Sequence, residues 1–574
     1  MFARLFYILI TILALPAWLL GLVLPLAWLA VAVAGYLLHG SANPSLTCAW
    51  HLRLHASSLV LMVLATIVAL SLATAAAASF ARLGRLAIAW VAVGVLVVPP
   101  LVYGYLWFVT LGSWITLQSL PVPFNLPAPS LPNLLLAAWA MGLWLWPIAA
   151  VVLTVGWQWI GRPAWLLARM DATDSRAFLR AALPAMQPCL LGAAAICLLL
   201  AAQDYAVPAL FSVQTWQTQW LELARAGVPL GQLVLAALPP ALFLLVLIAM
   251  VVRLRRSVES LGPADLGAVL LQRRSRFFAW ATLLTILLLT AVVPAIGAVL
   301  SLPKNMSLNL LRFQDALLDT PIIMAAAATL ALVAAFLALP RLSRRRIDVT
   351  NPMPGSVRVA NTRNDAPARP GLFSPLYRLT PGKSILVLAV VSWTLPISLL
   401  AEAVKQAQTA FMAILDRLGQ QIPPVNHLLN QPDLLRWLDL LMWISILAGR
   451  MLPIAAILLA LVSRSLPAHM AEQAAIEGAG RSQIFHRILL PLLAPAAGAA
   501  WIICALLVAT DTAAATFLRP PGFEVLSVSL LNQMHYGRDA DVISMCLLLL
   551  AAAAIGAAIV AGTLGRTASN DTLS

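Results

Sequence analysis

The chain has 574 residues, 62% of them hydrophobic and 10% charged, with a mean hydropathy of +0.93. A soluble globular domain is about half apolar and a quarter charged, so this composition excludes one and points to a polytopic membrane protein. The formal charge of +15 does not argue for nucleic acid, because Lys and Arg in so apolar a chain serve to keep cytoplasmic loops from being translocated.

About 20 apolar residues carry a helix across the hydrocarbon core. Runs of that kind are predicted at 5–38, 56–79, 86–108, 134–157, 183–203 and 229–252, and again at 277–301, 321–340, 385–402, 437–463, 490–510 and 542–565. The first exceeds a signal-peptide core. It reads either as one long tilted helix or as a hairpin broken at Pro16 and Pro25. The expected fold is therefore all-α, with about 12 transmembrane helices. If the N-terminus is inside, the cytoplasmic segments hold 26 of the 36 Lys and Arg, the opposite side holds 9, and Arg450 lies within a run. That bias sets the orientation and places both termini in the cytoplasm. Residues 111–133 have five prolines and no charge, as suits a short external interfacial loop. Residues 341–384 carry Arg341, Arg344, Arg345 and Arg346 and then a stretch rich in Pro, Asn and Arg, which reads as a flexible cytoplasmic loop. Cys48, Cys189, Cys197, Cys504 and Cys546 form no CxxC pair and read as small apolar residues.

Shifted by 307 residues, the chain matches itself without a gap: Phe178 falls on Phe485, Arg180 on Arg487, Leu183-Pro184 on Leu490-Pro491, Pro188 on Pro495, Ile196-Cys197 on Ile503-Cys504 and Asp204 on Asp511. Leucines match cheaply in such a chain, but prolines, an arginine and an aspartate at one offset do not. The expected organisation is a parallel duplication: a first six-helix half at 1–256, a cytoplasmic linker at 257–276 and a second six-helix half at 277–574.

The loop before the eleventh run, 464–491, contains Glu472-Gln473-Ala474-Ala475-Ile476-Glu477-Gly478, then nine residues, then Ile488-Leu489-Leu490-Pro491. It resembles the E-A-A-x3-G-x9-I-x-L-P loop of ATP-binding-cassette (ABC) import permeases. Glu472, Ala474, Gly478, Ile488, Leu490 and Pro491 fit that pattern, and Gln473 replaces an alanine. Residues 468–477 suit a short helix that Gly478 can end by a left-handed turn. In that family the helix docks on the ATPase and carries its motion into the membrane. The matching loop at 162–184 departs from the pattern: Trp165, Leu166 and Leu167 replace Glu, Ala and Ala, Asp171 stands at the glycine, and Leu183-Pro184 remain. Asp171, Phe178, Leu183 and Pro184 are thus the weaker coupling candidates. Val97-Val98-Pro99-Pro100 resembles a break in fused iron(III)-type permeases, and Arg519 to Glu524 with His535-Tyr536-Gly537 resemble their last external segment.

Gly382-Lys383-Ser384 lacks the first glycine of a phosphate-binding loop, since Tyr377 stands there, and no nucleotide site is found. His51 and His55 are one helical turn apart, but no third ligand is placed beside them, so interfacial histidines are the better reading. Arg450 inside a run faces a partner or a water-filled path, or else snorkels at a helix break. Asp204 and Asp511 each follow Leu-Pro by about 30 Å of helix, which puts both at the external mouth, either across the pore axis or as solvated helix ends.

The resemblance implies a type I ABC importer permease of the inner membrane, duplicated in one chain. It implies two copies of a separate ATP-hydrolysing subunit, an external solute-binding protein and alternating access. It also implies transport rather than catalysis, with no cofactor or metal held by this chain. Ferric iron leads as substrate, ahead of phosphonate, thiamine and polyamine. A 12-helix secondary transporter is the reading from another class, but it calls for several charges buried in mid-span. A membrane enzyme calls for polar side chains converging at one face, which the sequence does not supply.

Overall fold

The computed structural model describes residues 16–39, 48–83, 98–112, 131–159, 183–259, 273–302, 313–342, 390–421, 432–465, 481–484, 490–509, 511–536 and 539–570, with positions 95, 170, 173, 176, 180, 474, 477, 487 and 488. Among them the chain is helical, with no strand. Nine described helices are long and apolar enough to cross a membrane: Pro16–Leu38, Leu54–Phe80, Leu131–Thr154, Met186–Gln203, Leu230–Met250, Phe277–Leu300, Gln314–Leu337, Leu435–Ala456 and Leu490–Ala509. A chain of this kind is a multi-pass membrane protein, because in hydrocarbon each backbone polar group must be satisfied within its own segment.

In chain order the main elements are α1 (Leu24–His39), α2 (Cys48–Leu83), α3 (Pro100–Gly112), α4 (Leu131–Trp159), α5 (Leu183–Gln203), α6 (Ala206–Leu210), α7 (Trp216–Arg225), α8 (Leu230–Glu259), α9 (Arg273–Leu287), α10 (Val293–Leu300), α11 (Gln314–Leu342), α12 (Ile397–Gln421), α13 (Pro432–Ser465), α14 (Leu490–Ala509), α15 (Thr512–Leu518), α16 (Leu526–His535) and α17 (Asp539–Asn570). The expected run 542–565 lies within α17.

Three expectations need correction. The hairpin reading of the first run fails at Pro25: residues 16–39 are continuously helical, and a π-turn at Leu19–Val23 widens the backbone just ahead of the proline. There the Leu24 N–H bonds to the Leu19 carbonyl. The run at 385–402 is not one continuous helix: it is interrupted at a proline, which lacks an N–H and pushes its predecessor out of the helical region. The run at 86–108 is interrupted in the same way, at the Val97-Val98-Pro99-Pro100 stretch that resembles a permease break. The bends are at Val98-Pro99 and Leu395-Pro396, and α3 and α12 start immediately after them. Finally, α12 runs on to Gln421, through residues read as external loop.

The described chain forms two compact units. The larger comprises 27–322, 394–439 and 509–574. In it α2 lays a row of fully buried alanines (Ala65, Ala69, Ala73, Ala76, Ala77) along its packed face. Gly142 of α4 sits so close to α2 that a Cβ there would meet the Val68 side chain at 2.5 Å. Lipid tails are as apolar as leucine, so helices in a bilayer associate by such close approach rather than by escape from water. The smaller unit comprises 1–26, 323–393 and 440–508. Its tightest approach is Gly21 against Gly449 and the Ser445 carbonyl, where the two backbones touch.

Candidate functional site

The site is built from one structural sentence spoken twice. A long helix (α5, α14) ends just before an aspartate (Asp204, Asp511), and a short helix follows (α6, α15). A bend at positive φ comes next, at Ser212 (φ 54°) and Gly522 (φ 84°). Then come a ten-residue helix (α7, α16) and a long closing helix (α8, α17). The second set lies 306 to 310 residues after the first.

Other elements repeat as well. The π-turns Leu19–Val23 and Leu288–Val292 precede Pro25 and Pro294. The bends at Pro99 and Pro396 are each closed by a turn, Val102 N–H to Pro99 O and Leu399 N–H to Pro396 O, at 3.0 and 3.1 Å. Pro147-Ile148-Ala149-Ala150 in α4 reappears as Pro453-Ile454-Ala455-Ala456 in α13, a sequence signal that the 307-residue comparison did not use.

In the larger unit each aspartate-headed segment packs on a proline-started helix, α6 on α3 and α15 on α12. Each is also tied back to the second long helix of its own set. Ser57 Oγ donates to the Gln214 carbonyl at 2.7 Å, and the Trp216 N–H donates to Ser58 Oγ at 3.0 Å. In the other set the Glu524 N–H donates to Asp319 Oδ2 and the Leu526 N–H to Thr320 Oγ1, both at 2.9 Å. Two adjacent polar residues on a membrane helix thus hold each return segment. Of the four, sequence reading found none, since isolated Ser and Thr in an apolar run carry no signal by themselves.

Asp204 and Asp511 differ in surroundings. Asp511 N-caps α15, with Oδ1 accepting from the Ala514 N–H at 3.1 Å. Asp204 accepts from the Ala206 N–H at 3.0 Å through Oδ1, while its Oδ2 is shut away from solvent with no hydrogen-bond donor. The Asp204 carboxyl is raised to about 6, chiefly by burial and to a lesser extent by the Asp511 charge, against the downward pull of backbone N–H groups at Ala206 and Val207. The two aspartates are therefore electrostatically coupled, and Asp204 is a carboxyl able to carry or release a proton near neutral pH.

Arg450, in the smaller unit, is only 6% exposed, so it does not snorkel to water. Its guanidinium lies over the Trp393 ring with Cζ 5.6 Å from the centroid, and the Trp393 indole N–H donates to the Arg450 carbonyl. The tryptophan is the partner that the sequence could not name, and it sits two residues before the bend at Leu395-Pro396.

Of the coupling candidates, Glu472, Gly478, Asp171 and Phe178 lie outside the described residues, as do positions 343–384 of the 341–384 loop, Gly382-Lys383-Ser384 among them. Ala474 is helical, Ile488 lies in a π-turn and Leu490 opens α14, with Pro491 exposed. Leu183 and Pro184 open α5 in the same way, Pro184 exposed. Among the described residues no three His, Cys, Asp or Glu come together to hold a metal ion. Cys189, Cys197, Cys504 and Cys546 are buried free thiols.

No protein-family model, no curated protein and no solved structure matches this chain.

Proposed function

We propose that this chain is the membrane permease of an ABC importer, with two six-helix halves in one polypeptide and twelve spans in the inner membrane. The observation that carries the reading is the stretch from Glu472 to Pro491, which matches the ATPase-docking loop at six positions and leads directly into α14. The twice-used arrangement of broken helix, aspartate and return segment supports it, because two pseudo-equivalent walls are what a central path between halves requires. ATP is bound and hydrolysed on two copies of a separate subunit, and an external binding protein delivers the solute. Both termini are cytoplasmic. Ferric iron is the leading substrate, since two coupled carboxylates favour a cation. Thiamine and polyamines share that charge and phosphonates do not.

The test is assembly and energy source. The chain is co-expressed and purified with a candidate ABC ATPase subunit and reconstituted in vesicles. The expected result is a stable complex whose uptake needs ATP and is lost in Gly478→Trp. Uptake driven by an ion gradient without ATP would instead establish the secondary-transporter reading, which the buried Arg450 in α13 favours.

A further inference from the structure

The two return segments are held by different chemistry, and the difference identifies the one that moves. The first, 204–215, is fastened from several directions by buried neutral groups. Trp216 Nε1 and Gln217 Nε2 both donate to the Ala202 carbonyl, at 3.0 and 3.1 Å, which ties the start of α7 to the end of α5. Thr215 and Thr218 form a reciprocal cap, and the Val213 N–H closes on Pro208 O at 2.9 Å. Thr215, Trp216, Gln217, Ser57 and Ser58 are all buried. Ser212 within this segment keeps φ at +54°, a conformation that a serine holds only when its surroundings dictate it.

In the second segment, 511–525, Leu526 and Ser527 stand where Trp216 and Gln217 stand in the first set; the leucine side chain has no donor, and Ser527 Oγ is buried with no hydrogen-bond partner. Its bend uses Gly522, for which φ of +84° is unstrained. Ionisable groups hold it instead. Asp319 accepts from the Glu524 N–H, and Glu524 Oε2 accepts from Ser529 Oγ at 2.9 Å. Arg436, exposed on α13, lies over the Phe523 ring 4.9 Å from its centroid and donates to the Gly522 carbonyl at 3.3 Å. Of these, the Arg436 contact is exposed and opens readily, whereas buried bonds to carbonyls hold.

We propose that residues 519–525 are the movable wall of this paired arrangement. Arg436 is the clasp that releases them, the Leu526–Thr320 bond is the hinge, and 204–215 is the fixed wall. The motion stands on the structure alone. Its use as an external gate rests on the transport reading, and the test below needs no substrate.

Amide hydrogen exchange is followed on the full chain in nanodiscs, at peptide resolution. Amides at 522–524 are expected to exchange at least tenfold faster than those at 211–214. Arg436→Ala is expected to speed 522–524 a further three- to tenfold, leaving 211–214 and α14 unchanged, with Arg436→Lys between the two. Equal protection of the two segments in the unmodified chain would overturn the proposal, as would an Arg436→Ala effect under twofold or one shared by 211–214. If Arg436→Ala does not fold, the comparison within the unmodified chain still decides.

Discussion

Ser212 and Gly522 stand at the same bend of two equivalent segments, and both have positive φ, although only one is a glycine. The serine stores strain that the glycine does not. A Cβ at 522 would meet Arg436 Nη2 at 2.7 Å, but that is the tip of a flexible side chain that can swing aside, so the constraint at Gly522 is its left-handed backbone. Gly522→Ala should therefore lower stability by about 1–2 kcal/mol, while Ser212→Gly should be neutral or raise it by up to about 1 kcal/mol. Thermal unfolding of the detergent-solubilised variants checks both. An alanine tolerated at 522 as well as a glycine at 212 would show that the bend is not built as described.

Asp204 gives a pH dependence with a definite sign. Its carboxyl is raised by burial from 3.8 to about 6. The folded state thus prefers the protonated form, so this contribution to stability is fully present below pH 4 and is lost as pH rises through 6. Asp204→Asn keeps the acceptor for Ala206 and removes the buried charge. It should stabilise the protein by about 2 kcal/mol at pH 8 and by almost nothing at pH 4. Unfolding measured at the two pH values decides it, and an equal effect at both would mean that Asp204 titrates normally.

Arg450 and Trp393 should behave as a coupled pair. A cation over an indole in a dry site contributes about 2 kcal/mol, and removing one partner leaves the other poorly compensated. Trp393→Leu alone should destabilise by about 2–4 kcal/mol. Adding Arg450→Met should return part of that loss, because a buried charge is replaced by an apolar chain of similar length. A double-mutant cycle reads the coupling, which should exceed about 1 kcal/mol. Strict additivity would mean that the ring and the guanidinium are neighbours without interaction.

How much of this was legible depends on what each feature is made of. The ends of α5 and α14 fall within a residue of the expected runs, because Leu-Pro opens each helix and an aspartate follows each end. Apolar length alone located α8 and α9. It misread 385–402, where hydropathy stays high across a proline that interrupts the helix, whereas the interruption within 86–108 was legible in Val97-Val98-Pro99-Pro100. The ties at Ser57, Ser58, Asp319 and Thr320 were invisible for another reason: they are hydrogen bonds across more than 150 residues, and nothing local to an apolar run marks which serine will make one. The pairing of Arg450 with Trp393 is likewise a tertiary contact between residues that no periodicity links.

The paired aspartates also bear on what is carried. Asp204 and Asp511 interact electrostatically and head equivalent segments, so on the transport reading they place a negative field beside the path. Such a field concentrates cations and repels anions. Asp204→Asn combined with Asp511→Asn should therefore slow ferric iron uptake in vesicles holding the permease, its ATPase and a saturating binding protein. Asn still caps α15 well, so folding and ATPase assembly should survive. For a phosphonate the same change should be neutral or helpful. Acidification discriminates further, since protonating Asp204 near pH 6 should mimic half of the double variant, slowing a cation in the unmodified chain and not in the variant. Salt separates a pore role from docking: a Debye length near 8 Å at physiological strength weakens exposed pairs with a partner protein far more than a charge shut away from solvent, as Asp204 Oδ2 is. Iron uptake that is unchanged in the double variant at both low and high salt would remove these carboxylates from the path and the charge argument for a cation with them.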